Sequence, residues 1–242
     1  ASHGGMIGIV VALLWWSRRH GVSFLHLLDL GTVAGPPGLF LGRLANFVNA
    51  ELWGRALPAA RQINPPWWSV KYPSEIEEWV ANGDDRLLEL ETLRSQVPGD
   101  QVFHESIVGG LQSGNQIIVE HVTPLLTAWY PSQVIQAISE GPLLLGAMLL
   151  IWLRPKKPGV MAGWFVVTYG CLRVATEFFR QPDVGVSLLA GLSRGQQLSI
   201  LMVGVGLIIV LLCGRRNVAA ISILGRSTGT TLPDQHRRMT SE

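Results

Sequence analysis

Long apolar segments separated by short polar or basic stretches predict an all-α polytopic membrane helix bundle. Five segments stand out, at about 6–16, 23–48, 132–153, 159–179 and 196–213. A helix needs roughly 20 apolar residues to cross a hydrocarbon core of about 30 Å. The first segment reaches only about 21 Å even with residues 3–5 added, so we expect it to start before residue 1 or to lie in a thinned region. Pro36-Pro37 is expected to break or kink the second.

Between the second and third spans the pattern changes completely. Residues 56–130 are rich in proline and polar residues, and a helical stretch is predicted from Ser74 to about Gln96, with Ser74 and Glu77 as a capping box. Eleven acidic and five basic residues lie between positions 51 and 130, a net charge of −6. This segment is predicted to be a water-exposed head. The predicted domain order is two spans (1–55), the head (56–130), three spans (131–213) and a polar, disordered tail (214–242).

Composition agrees with a membrane protein and excludes an ordinary soluble domain. The 242 residues are 48% hydrophobic and 15% charged, with a mean hydropathy of +0.31. The only two cysteines, Cys171 and Cys213, fall inside apolar spans, so no disulfide framework is indicated. The sequence shows no metal-ligand cluster, and no cofactor or nucleic-acid partner is expected.

Basic residues orient the predicted spans. Arg18-Arg19, the cluster at 154–157 and Arg215-Arg216 lie on alternate loops, which five spans place on one side. By the positive-inside rule this side is cytoplasmic. The acidic head then lies on the extracytoplasmic side, and the C-terminus is cytoplasmic.

The first cluster of chemical interest covers residues 42–55, where an apolar span runs into polar residues. Arg43, Asn46 and Asn49 recur at every third position, so on a helix they stay close to one side. Such groups are costly in a membrane unless they face a polar cavity or a bound anion. An interfacial anchor, with a snorkelling arginine and Trp53 at headgroup level, is the alternative. It does not explain two asparagines, so a binding site is favoured.

A second cluster lies near the end of the fourth span. Arg173, Glu177 and Arg180 are spaced i, i+4 and i+7, and therefore share one helix face. Arginines near the outer headgroup level suit planar, bidentate recognition of a phosphodiester. A purely structural Arg-Glu pair within the helix is the alternative.

The third cluster of chemical interest is at the start of the first span and consists of His3, Gly4 and Gly5. A histidine there could act as a general base or hydrogen-bond donor, and the two glycines could let a lipid headgroup approach closely. A solvated terminal histidine is the alternative.

Together these stretches resemble a known family. Gly42-Arg-Leu-Ala-Asn-Phe-Val-Asn-Ala-Glu-Leu-Trp-Gly54 is similar to the signature of the prolipoprotein diacylglyceryl transferases. His3-Gly-Gly, Tyr169-Gly-Cys-Leu-Arg-Val-Ala-Thr-Glu-Phe-Phe-Arg-Gln-Pro-Asp183 and Ser193-Arg-Gly-Gln-Gln-Leu-Ser199 follow the family's order, and Tyr130-Pro-Ser-Gln133 resembles its His-Pro-Ser-Gln. The resemblance covers all five spans and leaves out most of the head.

The resemblance implies a bacterial inner-membrane enzyme. It would transfer the sn-1,2-diacylglyceryl group from phosphatidylglycerol to the lipobox cysteine of a prolipoprotein signal peptide, forming a thioether and releasing glycerol-1-phosphate. By carry-over, Arg43 and Arg173 would hold the phosphate, His3 would assist thiol deprotonation, and Glu51 and Glu177 would orient the arginines. The expected substrate-binding residues are Gly4, Gly5, Asn46, Asn49, Gly54, Arg180 and Gln133.

Departures from the family pattern are part of the expectation. Ala45 stands for a glycine, Tyr130 for a histidine, and Val134-Ile135-Gln136 for Leu-Tyr-Glu. The family normally has seven spans, so the chain is expected to be truncated at its N-terminus and, by itself, inactive or incompletely folded. Two alternatives remain open: a divergent, non-catalytic homologue that binds anionic phospholipid, and a small membrane transporter. A transporter would be expected to show an internal repeat, and none is visible.

Overall fold

The computed structural model describes residues 2–91, 103–180, 192–225 and 227–228, and it is mostly helical. The helices are α1 (Ser2–His20), α2 (Phe24–Val48), α3 (Glu75–Asn82), α4 (Arg86–Glu91), α5 (Phe103–Ser113), α6 (Gln116–Val122), α7 (Ser132–Ile138), α8 (Leu144–Trp152), α9 (Val160–Glu177) and α10 (Arg194–Gly214). A 3₁₀ turn covers Ala59–Arg61, and a π-helical turn, Ser139–Leu143, joins α7 to α8.

The chain divides into two compact units. The bundle unit comprises Ala1–Leu44, Ile135–Phe178 and Gly185–Glu242, and the head unit comprises Ala45–Val134 and Phe179–Val184. Within the described ranges, three helical segments are long and apolar enough to cross a membrane: Phe24–Val48, Ser132–Trp152 and Arg194–Gly214. The other two predicted spans coincide with α1 and α9, which are helical but are not among these three.

The second predicted span is helical without a break. Both Pro36 and Pro37 lie inside α2, so the break expected at the proline pair does not occur. Asp29 in the same helix is 2% exposed, and its two carboxylate oxygens accept hydrogen bonds from the backbone N–H groups of Gly159 and Ala162, each at 2.8 Å. These donors are at the N-terminus of α9, where N–H groups lack intrahelical partners. A carboxylate from α2 therefore caps α9.

Glycines bring α9 and α10 into close contact. A Cβ added to Gly163 would lie 3.0 Å from the carbonyl oxygen of Gly206, and one added to Gly206 would lie 2.9 Å from that of Gly163. Small residues at such positions let helix backbones approach, which is how membrane helices commonly pack. Arg173 and Glu177 of the predicted second cluster are thus on a helix held firmly by its neighbour. Arg180 lies beyond the end of α9, so the prediction that it shares their helix face is wrong.

Replacing Gly206 by valine is expected to loosen this pair. The new side chain would meet Val167 as well as the Gly163 backbone, and overpacking of this kind costs about 1–3 kcal/mol. The measurement is the thermal unfolding of the detergent-solubilised protein. Gly204→Val is the matched control, because a Cβ at Gly204 meets nothing within 4 Å. Equal melting temperatures for the two variants would contradict this account of the packing.

The head unit has its own apolar core, which is formed by Ile76, Trp79, Leu90, Ile107, Ile118, Val122 and Leu126. Beside it, the buried carboxylate of Glu75 accepts hydrogen bonds from the backbone and hydroxyl of Thr127 and from Arg86, whose guanidinium lies 4.2 Å from the Trp79 ring centroid. Because a buried carboxylate is tolerated only when its oxygens are satisfied, this network holds the head together. On the surface, hydrogen bonds from Arg86 lower the pKa of Asp84 to about 2.

Two local predictions for the head are wrong. Ser74 precedes α3, but it has helical backbone angles and its side chain makes no capping hydrogen bond. The predicted long helix ends at Gly83, which has a φ of 65° and leads into the shorter α4. The part of the predicted helix beyond Glu91 lies outside the described residues.

A short β-ladder lies within the segment predicted to be a disordered tail. Strand β1 (Ala220–Ile221) pairs antiparallel with β2 (Ser227–Thr228). Ile221 also exchanges two backbone hydrogen bonds with Lys156, and its carbonyl accepts one from the indole N–H of Trp152. Residues 220–221 and 227–228 therefore form ordered pairings, and the prediction that this part of the tail is disordered is wrong. Residues 229–242 lie outside the described residues.

Candidate active site

A glutamate that the sequence analysis did not single out lies at the centre of the charged groups. Glu140 belongs to the π-helical turn between α7 and α8, which also contains Pro142, and its side chain is fully buried. Single π turns are uncommon and often mark functional sites. Gly141 lets α2 approach this turn closely, because a Cβ there would lie 2.6 Å from the Cβ of Phe40. One helical turn beyond Phe40 is Arg43.

Arg43 and Glu140 form a two-point ion pair. The Nε of Arg43 donates to Oε2 of Glu140 at 2.9 Å, and its Nη2 donates to Oε1 at 3.2 Å. The side chain of Arg43 is only 19% exposed. A buried carboxylate needs such a partner, and a forked guanidinium meets it with both oxygens. The pair therefore fixes the position of Arg43.

Arg173 shares the same carboxylate more loosely. Its Nη1 lies 3.6 Å from Oε1 of Glu140, and its Nη2 lies 3.4 Å from Oε2 of Glu177, one turn further along α9. Nη1 is buried and has no hydrogen-bond partner among the residues that the structure describes. A buried guanidinium nitrogen without a hydrogen bond is costly, which makes it a natural donor to an incoming anion.

Glu177 is held at the start of α10. Its Oε1 accepts a hydrogen bond from the hydroxyl of Ser193 at 3.2 Å, and a Cβ added to Gly195 would collide with its carboxylate. Ser193 and Gln196 form a capping box at this helix terminus, where a negative charge is favoured by the helix dipole. Glu177 is thereby fixed independently of its pair with Arg173.

The four groups form a cluster of two guanidiniums and two carboxylates within the bundle unit, with no net formal charge. They are Arg43, Glu140, Arg173 and Glu177, and we call them the arginine cluster. Tyr169, one turn before Arg173, has Arg43, Glu140 and Arg173 as its charged neighbours. Two arginines fixed at neighbouring positions can bind the oxygens of one phosphate with well-defined geometry.

The other predicted site residues lie elsewhere. His3, Gly4 and Gly5 belong to the first turns of α1; both glycines are exposed, and the side chain of His3 lies outside the described part of the chain. Asn46 is half-buried near the end of α2, and Asn49 is exposed just beyond it. The catalytic role of His3 and the substrate-binding roles of the other four residues therefore remain predictions.

Glu51, Gly54, Gln133 and Arg180 are together in the head unit. The side-chain amide of Gln133 donates to the backbone carbonyl of Glu51 at 2.7 Å, while the Glu51 side chain is exposed. Gly54 pairs with Arg180 in a single antiparallel bridge. Arg43 and Arg173 therefore pair with Glu140 and Glu177, and the structure gives Glu51 no part in either ion pair.

Gly54 is a position where only glycine fits. A Cβ there would overlap the carbonyl oxygen of Tyr130 and lie 3.0 Å from that of Phe179. Gly54→Ala is expected to displace this backbone and to destabilise the protein by about 1–3 kcal/mol, measured by thermal unfolding. The control is Gly42→Ala in the same signature, where a Cβ meets nothing within 4 Å. If both variants unfold like the wild type, the close approach is unimportant.

A signal for Glu140 is present in the sequence. It is an acidic residue within a predicted span, and such residues usually face the interior and mark a pathway or site. Its partner Arg43 is 97 positions away, so no local spacing reveals the pair.

Comparison with known proteins gives a consistent result. The sequence model of the prolipoprotein diacylglyceryl transferases matches residues 1–212. Three similar proteins are called phosphatidylglycerol--prolipoprotein diacylglyceryl transferase. The one from Bdellovibrio bacteriovorus is 37% identical (96% of this chain, 70% of the relative), that from Bradyrhizobium diazoefficiens 35% (88% and 58%), and that from Ralstonia pickettii 37% (89% and 63%).

The chain spans between 58% and 70% of the length of these three relatives. Both the family match and the 37% identity to the Bdellovibrio bacteriovorus protein extend over most of its residues. The resemblance noted in the sequence is thus confirmed, and the chain belongs to the prolipoprotein diacylglyceryl transferase family.

Proposed function

We propose that the protein transfers the sn-1,2-diacylglyceryl group of phosphatidylglycerol to the lipobox cysteine of a prolipoprotein, and that the arginine cluster binds the phosphate. The observation that carries the proposal is the sharing of the buried Glu140 carboxylate by Arg43 and Arg173. This arrangement brings two guanidiniums into one small volume, that of Arg43 held by two hydrogen bonds and that of Arg173 held more loosely. The names of the relatives support the same substrates and reaction.

The phosphodiester of the lipid is proposed to bind at the loosely held side of the cluster. Arg43 donates two hydrogen bonds to the carboxylate of Glu140. By contrast, Nη1 of Arg173 lies 3.6 Å from that carboxylate and makes no hydrogen bond within the described residues. A phosphate oxygen can take up this donor without disrupting the Arg43 pair. Arg173 is therefore the residue expected to form new hydrogen bonds when the lipid binds.

The proposed reaction is a substitution at the sn-3 carbon of the diacylglyceryl group. The cysteine thiol loses its proton to a base, and the thiolate sulfur uses an electron pair to form the C–S bond. The bond from that carbon to the phosphate oxygen breaks, and its electron pair leaves with glycerol-1-phosphate. Negative charge thus develops on the phosphate, where Arg43 and Arg173 are placed to stabilise it. His3 is the proposed base, and a carboxylate is the alternative that the sequence leaves open.

The two glutamates are proposed to act on the arginines rather than on the substrate. With both carboxylates ionised, the cluster is neutral in the absence of lipid, so two arginines can remain buried without a bound counter-ion. Glu140 and Glu177 also restrict the rotamers of the arginines before the lipid arrives. The headgroup-binding role that the family resemblance implies remains proposed for Asn46, Asn49, Gly54, Gln133 and Arg180.

The proposed setting is the bacterial inner membrane. The five-span arrangement, with the head on the extracytoplasmic side and the C-terminus in the cytoplasm, is supported by the alternating basic loops and by the three membrane-capable helices. The proposed boundaries remain 1–55, 56–130, 131–213 and 214–242.

A direct assay tests this function. The full-length protein is incubated in phosphatidylglycerol nanodiscs with a lipobox peptide, and the peptide is analysed by mass spectrometry. We expect a diacylglyceryl mass shift that is absent when the lipobox cysteine is replaced by serine. If no shift occurs although phosphatidylglycerol co-purifies with the protein, the transfer reaction is excluded and a lipid-binding homologue is indicated.

A further inference from the structure

A loop of the head unit, residues 58–69, presents the most exposed large hydrophobic side chains of the described residues. Trp67 is 94% exposed and Ile63 is 84% exposed, on either side of Pro65-Pro66. We call this segment the Trp67 loop. Burying large apolar side chains is favourable, and two of them exposed together on one loop indicate a covering surface.

The Trp67 loop is a built structure. The side-chain amide of Gln62 donates to the carbonyls of Leu57 (2.8 Å) and Ala128 (3.0 Å) and accepts from the N–H of Ala128 (2.8 Å). The hydroxyl of Ser69 donates to the carbonyl of Pro66, and the ring of Trp68 stacks on Tyr130. These contacts anchor one side of the loop. Ile63 and Trp67 consequently point outwards from a fixed base.

Chain length limits how far that base can lie from the start of a membrane-capable segment. Trp129 forms bridges with Ala56 before the loop and with Val70 after it. Only three residues further on, Ser132 begins the membrane-capable segment Ser132–Trp152. Three extended residues reach about 10 Å, and Trp67 is a further three residues from Val70, so it too is within reach of the interface.

The composition of the loop fits a lipid interface. Tryptophan is enriched at the boundary between hydrocarbon and headgroups, and arginine there keeps its charge among the phosphates. Arg61 is exposed in the same loop, whereas the head as a whole carries a net charge of −6 and would otherwise be repelled by anionic lipid.

We propose that the Trp67 loop inserts Ile63 and Trp67 into the interfacial layer of the leaflet in which the span Ser132–Trp152 begins, with Arg61 among the headgroups. The bilayer is then the surface that covers these side chains. The loop ties the head to the membrane at a second point beyond the spans themselves. This inference does not depend on the transfer reaction.

Spin labels test the proposal in the full-length protein, reconstituted into nanodiscs of phosphatidylethanolamine and phosphatidylglycerol. Cys171 and Cys213 are first replaced by alanine, and single labels are introduced by Ile63→Cys, Trp67→Cys and Leu88→Cys. Leu88 is the matched control, since it is a 72% exposed hydrophobic residue on α4 of the same unit. We expect labels at 63 and 67 to collide more with oxygen than with a water-soluble nickel chelate, and the label at 88 to show the opposite.

A second measurement uses native side chains. Brominated phospholipids should quench the tryptophan fluorescence of the wild type more than that of Trp67→Phe. Aqueous accessibility at both 63 and 67, with equal quenching of the two proteins, would overturn the proposal. Protection of these labels only after a lipobox peptide is added would also overturn it, and would indicate that the loop binds the peptide.

Discussion

Arg173→Ala should reduce diacylglyceryl transfer by about 10²–10³-fold, the usual loss when one fixed donor to a developing negative charge is removed. The variant should still fold, because Glu140 keeps its two hydrogen bonds from Arg43, and Glu177 keeps the hydroxyl of Ser193. The measurement is the initial rate of the mass-shift assay, together with thermal unfolding of the same preparation.

Two further variants make this test specific. Arg173→Lys keeps the charge but loses the forked geometry, so its rate should lie between those of the wild type and the alanine variant. Arg194→Ala removes an exposed arginine at the start of α10 and should leave the rate unchanged. A wild-type rate for Arg173→Ala would show that this arginine does not contact the phosphate.

Glu140→Gln should lower both stability and turnover, since it removes the shared partner of two half-buried arginines. Breaking a buried ion pair costs about 3–5 kcal/mol, because charge is left uncompensated. The cluster would then carry a net positive charge, so the KM for phosphatidylglycerol should not rise. The kcat should fall about tenfold or more as the guanidiniums lose their fixed positions.

The split between these two constants separates positioning from direct binding. A raised KM with unchanged kcat would indicate that Glu140 binds the substrate, which contradicts the role proposed here. The matched control is Glu77→Gln, because Glu77 is an exposed glutamate of α3 and should affect neither constant.

The sequence was sufficient to predict the helical, membrane-compatible architecture and the family, because both depend on local patterns. Apolar runs identified the segments that fold as α2, α7 with α8, and α10. The i, i+4 spacing of Arg173 and Glu177 correctly placed them beside each other, at 3.4 Å. Contacts within one helical turn can therefore be predicted from residue spacing.

Contacts between segments far apart in the sequence could not be predicted from residue spacing. Glu51 and Glu177 were expected to orient the arginines, whereas the structure pairs Arg43 with Glu140, 97 positions away. Around Glu51 the backbone turns sharply, with positive φ at Ala50 (53°) and Leu52 (56°). Neither residue is a glycine, so the residue types do not indicate a turn here.

The π-helical turn at Ser139–Leu143 means that the geometry of the arginine cluster depends on the number of residues in this segment as well as on their types. A π turn contains one more residue per hydrogen-bonded loop than an α-helix. Because five residues of a π turn and four residues of an α-helix each make about one full turn, deleting one of these five would restore regular helix without rotating the flanking segments, and would change only the placement of the side chains in the turn itself. Such a deletion should leave the composition of the span almost unchanged and still displace the Glu140 carboxylate from Arg43 and Arg173.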